Sequence, residues 1–345
     1  MPQLMCDIVI PVYDQVAYTR GCVESILANT DYPFRLIMVN DASRQPETAV
    51  YLQALQAAEP ERVLVLHNAR NLGYVGTVNY GLQHAAAPYV VVMNNDTLVY
   101  PGWLSEMIFV AEKDPSIGIV NPQWDVSKRF SGGRDKFFAL SVLPRKGEHI
   151  ETDWARGCCY LTKRCVMDKI GGLDEAFAPA YYDDWDYSMR ALAAGYVCVR
   201  ALGAFVFHFK NVTYAVCGPK DQINTLIGQK GAVFYQRWGK PLKLLVIDDG
   251  MATDIVPKVR ELLRGQNRVV VVSSRALALK HTNLKVIHVP SWAVGLAAVF
   301  MLLDDARYAK VKRFHLVING QKATAFWAGQ PSCLQGKIKA MKFET

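Results

Sequence analysis

The first ninety residues alternate between short apolar runs and segments that favour helix, and this alternation constrains the fold most. Strands alternating with helices predict a mostly parallel sheet covered on both faces, so we expect an α/β fold. The runs that predict strands are Asp7–Val12, Arg35–Val39, Val63–Leu66 and Tyr89–Met93, and the segments that predict helices are Tyr18–Leu27, Thr48–Ala58 and Thr77–Ala86.

Polar loops follow the predicted strands. Ligands of such sheets bind at the carboxyl ends of the strands, where these loops lie. All four are rich in Asn, Asp, Gly or Tyr, as a polar ligand requires: 11–14, 40–43, 68–76 and 94–97.

The middle of the chain is less regular. We interpret 127–151, which contains Gly, Lys and Arg, as a mobile loop. The remaining patterns predict strands at Trp154–Leu161, Tyr196–Arg200 and Ala204–Phe209, and helices at Lys163–Ile170 and Asp184–Ala194.

A domain boundary is predicted near Gly239-Lys240-Pro241, giving domains at 1–240 and 241–345. The second is a small α/β module without G-x-G-x-x-G or a Walker motif, so we assign it no cofactor. Three roles stay open: docking a partner or membrane through basic residues, packing on the first domain, or beginning a longer second transferase domain. Its predicted elements are strands at Leu242–Ile247, Arg268–Ser273, Leu284–Val289 and Arg313–Ile318, and helices at Asp254–Arg264 and Trp292–Leu303.

Composition excludes several classes of protein. The 345 residues are 51% hydrophobic and 20% charged, and no apolar stretch approaches the roughly 18–20 residues of a membrane span. The start lacks the pattern of a signal peptide, so we expect a cytoplasmic protein. A net charge of +8 suits nucleic acid, an anionic membrane surface or a phosphorylated substrate. Without a nucleic-acid motif we exclude nucleic acid and leave peripheral membrane association open.

An acidic cluster lies at Tyr181–Arg190. Asp183, Asp184 and Asp186 fall within four positions, and like charges this close need a cation or a proton-transfer task. Together with Asn94-Asn95-Asp96 they suggest an enzyme that handles a metal-bound diphosphate and deprotonates an alcohol. The alternative is a solvated helix start, where Asp is favoured.

The order of motifs from Ile8 to about Tyr235 resembles the family 2 glycosyltransferases, including rhamnosyl- and galactofuranosyl-type members. The resemblance implies a GT-A fold, a nucleotide-sugar transferase sheet of Rossmann-like type. Its motifs are Ile8-Val9-Ile10-Pro11-Val12-Tyr13, Val39-Asn40-Asp41-Ala42-Ser43, Asn68-Ala69-Arg70-Asn71-Leu72-Gly73 with Asn79, Met93-Asn94-Asn95-Asp96-Thr97, Gly157 to Lys163, Gly171-Gly172-Leu173-Asp174-Glu175 and the acidic cluster.

The resemblance implies a donor site built from the strand-end loops. Asp41 is expected to accept a hydrogen bond from a pyrimidine base, as in UDP or dTDP, although Asn40 stands beside it where an Asp is frequent. Pro11 and Tyr13 are expected to pack on the base. The alternatives are plain core for Tyr13 and a turn for Asp41-Ala42-Ser43. The full set expected to bind the donor is Pro11, Tyr13, Asp41, Asn71, Gly73, Asn79, Asn94, Asn95 and Asp96.

The departing diphosphate implies a divalent cation, Mn²⁺ or Mg²⁺. The resemblance puts Asp96 on the metal and makes His208 a second ligand, which suits Mn²⁺ because Mn²⁺ accepts imidazole. A satisfied core histidine is the alternative for His208. Asn94 departs from the family's D-x-D pattern, and its amide could instead reach the donor ribose or a metal-bound water.

Asp184 matches the family's general base, which takes the proton of the acceptor hydroxyl. We expect Arg190 and the metal to keep Asp184 ionised, Asp183 to orient the acceptor, and Asp186 to cap the helix or pair with Arg190. Trp154 and Trp185 are candidate stacking platforms for an acceptor sugar, with core packing as the alternative. One base and no evident carboxylate nucleophile favour inversion at the anomeric carbon.

The predicted function is glycosyl transfer from a nucleoside-diphosphate donor to a saccharide or lipid-linked acceptor, in cell-surface polysaccharide or glycolipid synthesis. One alternative is a sugar nucleotidyltransferase, but the Gly-rich basic loop that it needs after the first strand is replaced by Pro11-Val12-Tyr13-Asp14-Gln15. Another is a degenerate binding protein that has kept the fold.

Overall fold

The computed structural model describes residues 6–124, 132–210, 212, 219–248, 255–264, 266–294, 296–298, 315–319 and 340–342. The chain forms two compact units, Met1–Arg237 and Trp238–Thr345. This division falls three residues before the predicted boundary after position 240.

The first half of unit 1 is the expected alternation of strands and helices. Strands β1, β2 and β3 are parallel, and β4 is parallel to β1 on its other side. In β1, β2 and β4 the Val, Ile and Leu side chains are buried on both faces, which explains their apolar sequences. In β3, at the edge of the sheet, most of these side chains are only partly buried. The elements are β1 Cys6–Val12, α1 Val16–Asn29, β2 Phe34–Asn40, α2 Pro46–Ala58, β3 Val63–His67, α3 Gly73–Gln83 and β4 Tyr89–Met93.

The second half of unit 1 continues the same sheet in mixed orientation. The strand order is β3-β2-β1-β4-β8-β6-β9-β5, with β7 also paired to β9. The elements are β5 Thr97–Val99, α4 Trp103–Ala111, β6 Ile117–Gln123, α5 Gly133–Phe137, β7 His149–Thr152, β8 Cys159–Lys163, α6 Arg164–Ile170, α7 Asp183–Ala193, β9 Val197–His208 and α8 Lys220–Trp238.

Three predictions for this half were wrong. The expected loop at 127–151 contains α5, a π-helical turn Phe138–Val142, a 3₁₀ turn Leu143–Arg145 and β7, while 125–131 lies outside the described residues. The strand predicted from Trp154 begins only at Cys159, because residues 153–156 form a loop. The two strands predicted at 196–209 are one continuous strand, β9, which passes through Gly203 without a turn.

The described part of unit 2 contains a five-stranded parallel sheet in the order β12-β11-β10-β13-β14. Helix α9 packs on β10 and β11 through Val259 and Leu263, which are buried with the strand residues. Most of the helix predicted at 292–303 lies outside the described residues. The elements are β10 Lys243–Asp248, α9 Val256–Leu263, β11 Arg268–Ser273, β12 Leu284–His288, a 3₁₀ turn Ser291–Ala293, β13 His315–Asn319 and β14 Ala340–Lys342.

Within the described ranges, no helix combines the length and apolar composition that crossing a bilayer requires.

Candidate active site

Asp41 organises the loops at the carboxyl ends of β2 and β3. One carboxylate oxygen accepts hydrogen bonds from the Asn68 side chain at 2.8 Å and the Leu72 amide at 2.7 Å. The other accepts from the Gly73 amide at 3.0 Å. Three donors on one buried carboxylate fix the 68–73 loop, so Asp41 has a structural role here. Its role in reading the base stays a prediction.

The loop after β1 is joined to the same edge. The Asp14 amide donates to Ser43 Oγ, and the Asp14 carboxylate accepts from the Gln45 amide, both at 2.9 Å. Pro11 and Tyr13, predicted to pack on the base, are half-buried in this loop region. The predicted donor residues after β1 and β2 are thus brought to one edge of the sheet.

Two other residues predicted to bind the sugar donor, Asn71 and Gly73, belong to the 68–73 loop. Asn71 donates to the Asp41 carbonyl at 3.3 Å and accepts from the Gly73 amide at 3.2 Å. Gly73 has a φ of +73°, and a Cβ there would lie 2.5 Å from Cβ of Pro179. The Val75 amide donates to the Pro179 carbonyl at 3.0 Å, so the start of α3 packs closely on the segment that leads to α7.

Asn79 lies on α3 and contacts the segment after α6. Its amide nitrogen donates to the Leu173 carbonyl and its oxygen accepts from the Leu173 amide, both at 2.8 Å. Both polar atoms of the side chain are therefore used to hold that segment. The donor role predicted for Asn79 stays a prediction that these contacts do not favour.

Asp96 and His208 meet although 112 positions separate them in the chain. Antiparallel pairing places Thr97 of β5 opposite His208 of β9, and the Phe209 amide donates to the Asp96 carbonyl. Asp96 Oδ1 then lies 3.1 Å from His208 Nε2. Asn95, by contrast, is buried and donates to Thr19 Oγ1 at 2.9 Å, which anchors the loop on α1.

The Asp96–His208 pair fits a divalent cation. Asp96 Oδ1 is buried against His208 Nε2, and Asn94 Oδ1 is buried without a hydrogen-bond partner among the described residues. The 3.1 Å separation resembles the spacing of adjacent ligands in an octahedron with bonds of about 2.1 Å. Burial opposes the charged imidazolium, but the neighbouring Asp96 and Cys158 raise the pKa of His208 to about 10. A bound cation would replace that proton.

The described residues contain no group of three or more His, Cys, Asp or Glu side chains that could hold a metal. A site with few protein ligands agrees with the way Mg²⁺ is held, by one or two carboxylates together with substrate phosphates. Asp96 and His208 would hold the ion, and phosphate oxygens would complete its coordination.

Two consecutive residues, Gly157 and Cys158, connect Asp184 to the Asp96–His208 pair. The Gly157 amide donates to Asp184 Oδ2 at 2.8 Å. The following residue, Cys158, contacts His208, and its carbonyl accepts from the Asn94 amide at 3.0 Å. The backbone of Gly157 and Cys158 therefore connects the predicted base to the predicted metal ligands.

Asp183 and Asp184 begin α7 as an adjacent acidic pair. Tyr181 and Tyr182 precede them with φ of 79° and 64°, a left-handed backbone that turns the chain into the helix. Burial, then the neighbouring Asp184, raises the pKa of Asp183 to about 8. Burial also raises the pKa of Asp184, while the Gly157 amide and Arg156 oppose that rise. A carboxyl with a raised pKa is suited to accept a proton near neutral pH.

The cation beside Asp184 is Arg156, and the expectation for Arg190 was wrong. Arg190 donates to Asp186 at 2.7 Å and to the carbonyls of Ile170 and Gly172. This agrees with the predicted pairing of Asp186 with Arg190, which is an i, i+4 pair on α7. Arg190 therefore fixes α7 on the segment after α6 and does not serve Asp184.

Trp154 and Trp185, the predicted acceptor platforms, stack on each other. Their ring centroids are 5.2 Å apart and the planes are inclined by 18°. Both rings are half-buried, and the Trp154 Nε1 atom is buried without a hydrogen-bond partner among the described residues. They form an aromatic wall beside Asp184, and sugar stacking on it stays a prediction.

Sequence reasoning missed Arg156 and Tyr74. Tyr74 on α3 donates through its hydroxyl to the Gly157 carbonyl at 2.9 Å and so supports the residue that binds Asp184. The sequence did offer a signal for Arg156 as a site residue, because Arg156 directly precedes Gly157, the first residue of a recognised motif. Its position depends on Asn121 of β6, whose oxygen accepts from the Arg156 amide at 2.7 Å.

Sequence comparison relates the chain to one large family. Residues 7–177 match the family described as Glycosyl transferase family 2. The protein y4gI of Sinorhizobium fredii is 27% identical over 231 residues, covering 61% of this chain and 25% of y4gI. The O-antigen biosynthesis protein RfbC of Myxococcus xanthus is 29% identical over 192 residues, covering 50% of this chain and 15% of RfbC. The chain thus spans a quarter or less of these two relatives.

A smaller relative and two solved structures are also similar. The glycosyltransferase YwdF of Bacillus subtilis is 28% identical, covering 54% of this chain and 67% of YwdF. A mannosyltransferase of Pyrobaculum calidifontis, solved with GDP-Man and Mn²⁺, superposes with a TM-score of 0.54 over 94% of this chain and 79% of its own, at 16% identity. GalNAc-T7, solved with UDP, GalNAc and Mn²⁺, gives 0.50 over 60% and 44%, also at 16% identity. These likenesses confirm the predicted GT-A fold.

Proposed function

Because this chain is a member of the family 2 glycosyltransferases, we propose that unit 1 transfers a sugar from a nucleoside-diphosphate donor to an acceptor hydroxyl with inversion at the anomeric carbon. The acceptor is a saccharide or a lipid-linked saccharide, and the product belongs to cell-surface polysaccharide or glycolipid synthesis. The relation to an O-antigen biosynthesis protein supports the second statement.

One observation carries the proposal. Asp96 Oδ1 and His208 Nε2 lie 3.1 Å apart, and the Asp96 side chain is buried. The adjacent residues Gly157 and Cys158 connect this pair to Asp184. A cation site and a candidate base connected in this way are what transfer from a diphosphate requires. The two solved structures of the same fold hold Mn²⁺, which supports a divalent ion here.

Each residue of the proposed site has its own role in the transfer reaction. Asp184 accepts the proton of the acceptor hydroxyl as that oxygen attacks the anomeric carbon from the face opposite the diphosphate. Its Oδ2 is oriented by the Gly157 amide. Asp96 and His208 would hold a divalent cation, which would supply positive charge to the departing diphosphate. The loops fixed by Asp41 and Asp14 present the edge against which the nucleoside packs.

The testing experiment measures nucleotide binding and donor turnover. We expect UDP, dTDP or GDP to raise the melting temperature of the chain only with Mn²⁺ or Mg²⁺ present, and one matching nucleotide sugar to be hydrolysed slowly. Asp96→Ala and His208→Ala should each weaken metal-dependent nucleotide binding about tenfold or more. Nucleotide binding that does not depend on the metal and is unaffected by these substitutions would rule out the proposed site.

A second candidate is a binding protein that has lost catalysis. Asn94 in place of an acid, and the use of the Asp41 carboxylate by its own loop, are the observations that favour it. The same measurements separate the two, because a binding protein keeps metal-dependent nucleotide affinity without donor hydrolysis. Release of pyrophosphate from a nucleoside triphosphate would instead identify a nucleotidyltransferase.

A further inference from the structure

Two arginines lie against one tryptophan ring close to the candidate base. The guanidinium carbon of Arg200 is 4.2 Å from the centroid of the Trp124 ring, and that of Arg156 is 4.9 Å from it. The two cations are therefore at most about 9 Å apart and repel each other. The sheet imposes this approach, because Asn121 is both the register partner of Arg200 and the acceptor for the Arg156 amide.

Neither guanidinium has an ion-pair partner in the part of the chain that the structure describes. No carboxylate there comes within ion-pairing distance of either group, and the Nε atom of each arginine is buried without a hydrogen-bond partner. Burial, and then the charge of Arg156, lower the pKa of Arg200 to about 10. The charge of Asp184 acts on Arg156 only over a longer range than an ion pair. Two half-buried like charges without a hydrogen-bonded counterion cost free energy unless an anion joins them.

The arginine pair borders the acceptor side of the site. Arg156 also lies 5.4 Å over the Trp154 ring, which stacks on Trp185 beside Asp184. The Nε1 of Trp154, without a partner among the described residues, adds a further buried donor to the same wall. An anion held here would lie close to the hydroxyl that Asp184 deprotonates, while the metal pair serves the donor diphosphate.

We propose that Arg156 and Arg200 bind an anionic group of the acceptor, so that the acceptor is an acidic or phosphorylated saccharide and not a neutral one. The inference rests on the proposed transferase function and names its acceptor class. Guanidinium groups present paired N–H donors that match carboxylate and phosphate oxygens, and both groups are common on sugars. The Trp124 ring keeps the two guanidinium groups in place through cation–π contact.

The test measures binding of simple sugars to the full chain at low salt, with and without UDP and Mn²⁺. The probes are methyl β-glucuronide and glucose 6-phosphate, with methyl β-glucoside as the neutral comparison. We expect the better anionic probe to bind at least about tenfold tighter than the neutral sugar, in a salt-dependent manner. The preference between the two anionic probes identifies a carboxylate or a phosphate as the natural group.

Substitutions then assign the effect to the two arginines. Arg156→Gln and Arg200→Gln should each weaken binding of the anionic probe about tenfold and leave binding of the neutral sugar unchanged. Arg200→Lys should recover part of the lost affinity. Arg20→Gln is the matched control, because Arg20 of α1 lies 4.6 Å over the ring of Tyr51 of α2, outside the candidate site, and should change nothing. Melting temperatures of all variants confirm folding.

Three outcomes overturn the inference: equal binding of anionic and neutral probes, wild-type binding of the anionic probe by either Gln variant, or loss of UDP–Mn²⁺ affinity in place of probe affinity. The last result would assign the arginines to the donor diphosphate. Failure of the proposed transferase function appears separately, as absence of metal-dependent UDP, dTDP or GDP binding in the wild-type chain.

Discussion

At the scale of single residues, the site is defined by what each carboxylate contacts. Asp41 accepts from three donors of one loop, and Asp186 is paired with Arg190 and Arg237. Asp184 instead accepts from the backbone amides of Gly157 and Trp185. Acidic residues in similar sequence contexts thus have different tasks. Contacts, and not residue type, separate the structural carboxylates from the catalytic candidate.

Asp184→Asn should reduce transfer by about 10²–10⁴-fold, because the amide cannot accept the hydroxyl proton. Nucleotide affinity in the presence of Mn²⁺ should stay within about twofold of wild type, since Asp96 and His208 are untouched. Product formation and nucleotide binding measured on the same preparations check this. Asp221→Asn, on the exposed start of α8, is the control, and turnover of Asp184→Asn near that of the control would remove Asp184 from its role.

Asp183→Asn should change how stability depends on pH. The pKa of Asp183 rises from 3.8 to about 8 in the folded chain, so the unfolded chain releases this proton at lower pH. The wild type therefore loses stability as pH rises from about 4 to about 8, and the variant lacks this loss. The melting temperature of the variant, relative to wild type, should increase across that window. A difference that is constant from about pH 5 to about pH 8.5 would contradict the raised pKa.

At the scale of elements, close packing between α3 and the segment before α7 holds the 68–73 loop and the Asp183–Asp184 pair together. Gly73 begins α3 in close contact with Pro179. Asn79 donates a hydrogen bond to the Leu173 carbonyl, and Tyr74 donates one to the Gly157 carbonyl. One helix therefore contacts the 68–73 loop, the segment after α6 and the residue whose amide binds Asp184. Strain at the start of α3 should be transmitted to both halves of the site.

Gly73→Ala tests this packing against a matched control. Its Cβ would lie 2.5 Å from Cβ of Pro179, whereas Gly133 has nearly the same φ, +74°, and no atom of the described residues lies within 4 Å of the position that a Cβ would take there. In both variants the left-handed backbone costs about 1 kcal/mol. Because of overpacking, Gly73→Ala should lower the free energy of unfolding by about 1–3 kcal/mol more than Gly133→Ala does, and nucleotide affinity should fall as well. Equal melting temperatures for the two variants would contradict the close approach.

At the scale of the whole molecule, each unit has its own sheet and its own core. The nine described strands of unit 1 form one sheet and the five described strands of unit 2 form another. The buried clusters follow the same division, with Leu245 and Val272 in unit 2 and Ile8 and Leu36 in unit 1. All the residues of the candidate site belong to unit 1.

A chain that ends at Pro241, just beyond α8, should therefore fold and keep metal-dependent nucleotide affinity within about twofold of the full chain. Thermal unfolding and nucleotide titration of both chains check this. Association with vesicles of anionic lipid, measured in parallel, tests the docking role left open for unit 2. An insoluble or non-binding 1–241 chain would show that unit 1 depends on unit 2.

Sequence pattern was sufficient to predict the parallel half of the sheet, because apolar strands buried on both faces and the helices between them leave a local signal. The order of the motifs likewise predicted the family and the GT-A fold. Local pattern could not reveal that β9 is one strand or that 133–152 contains helix and strand, because tertiary packing overrides local preference there.

Which charges meet depends on the three-dimensional fold. Pairing of β5 with β9 brings Asp96 to His208, and the sheet register sets Arg200 beside Arg156. The cation whose charge acts on Asp184 is Arg156 from a distant loop, although Arg190 is closer in sequence. Contacts between residues far apart in the chain depend on strand register and loop direction, and no periodicity in the sequence encodes either one.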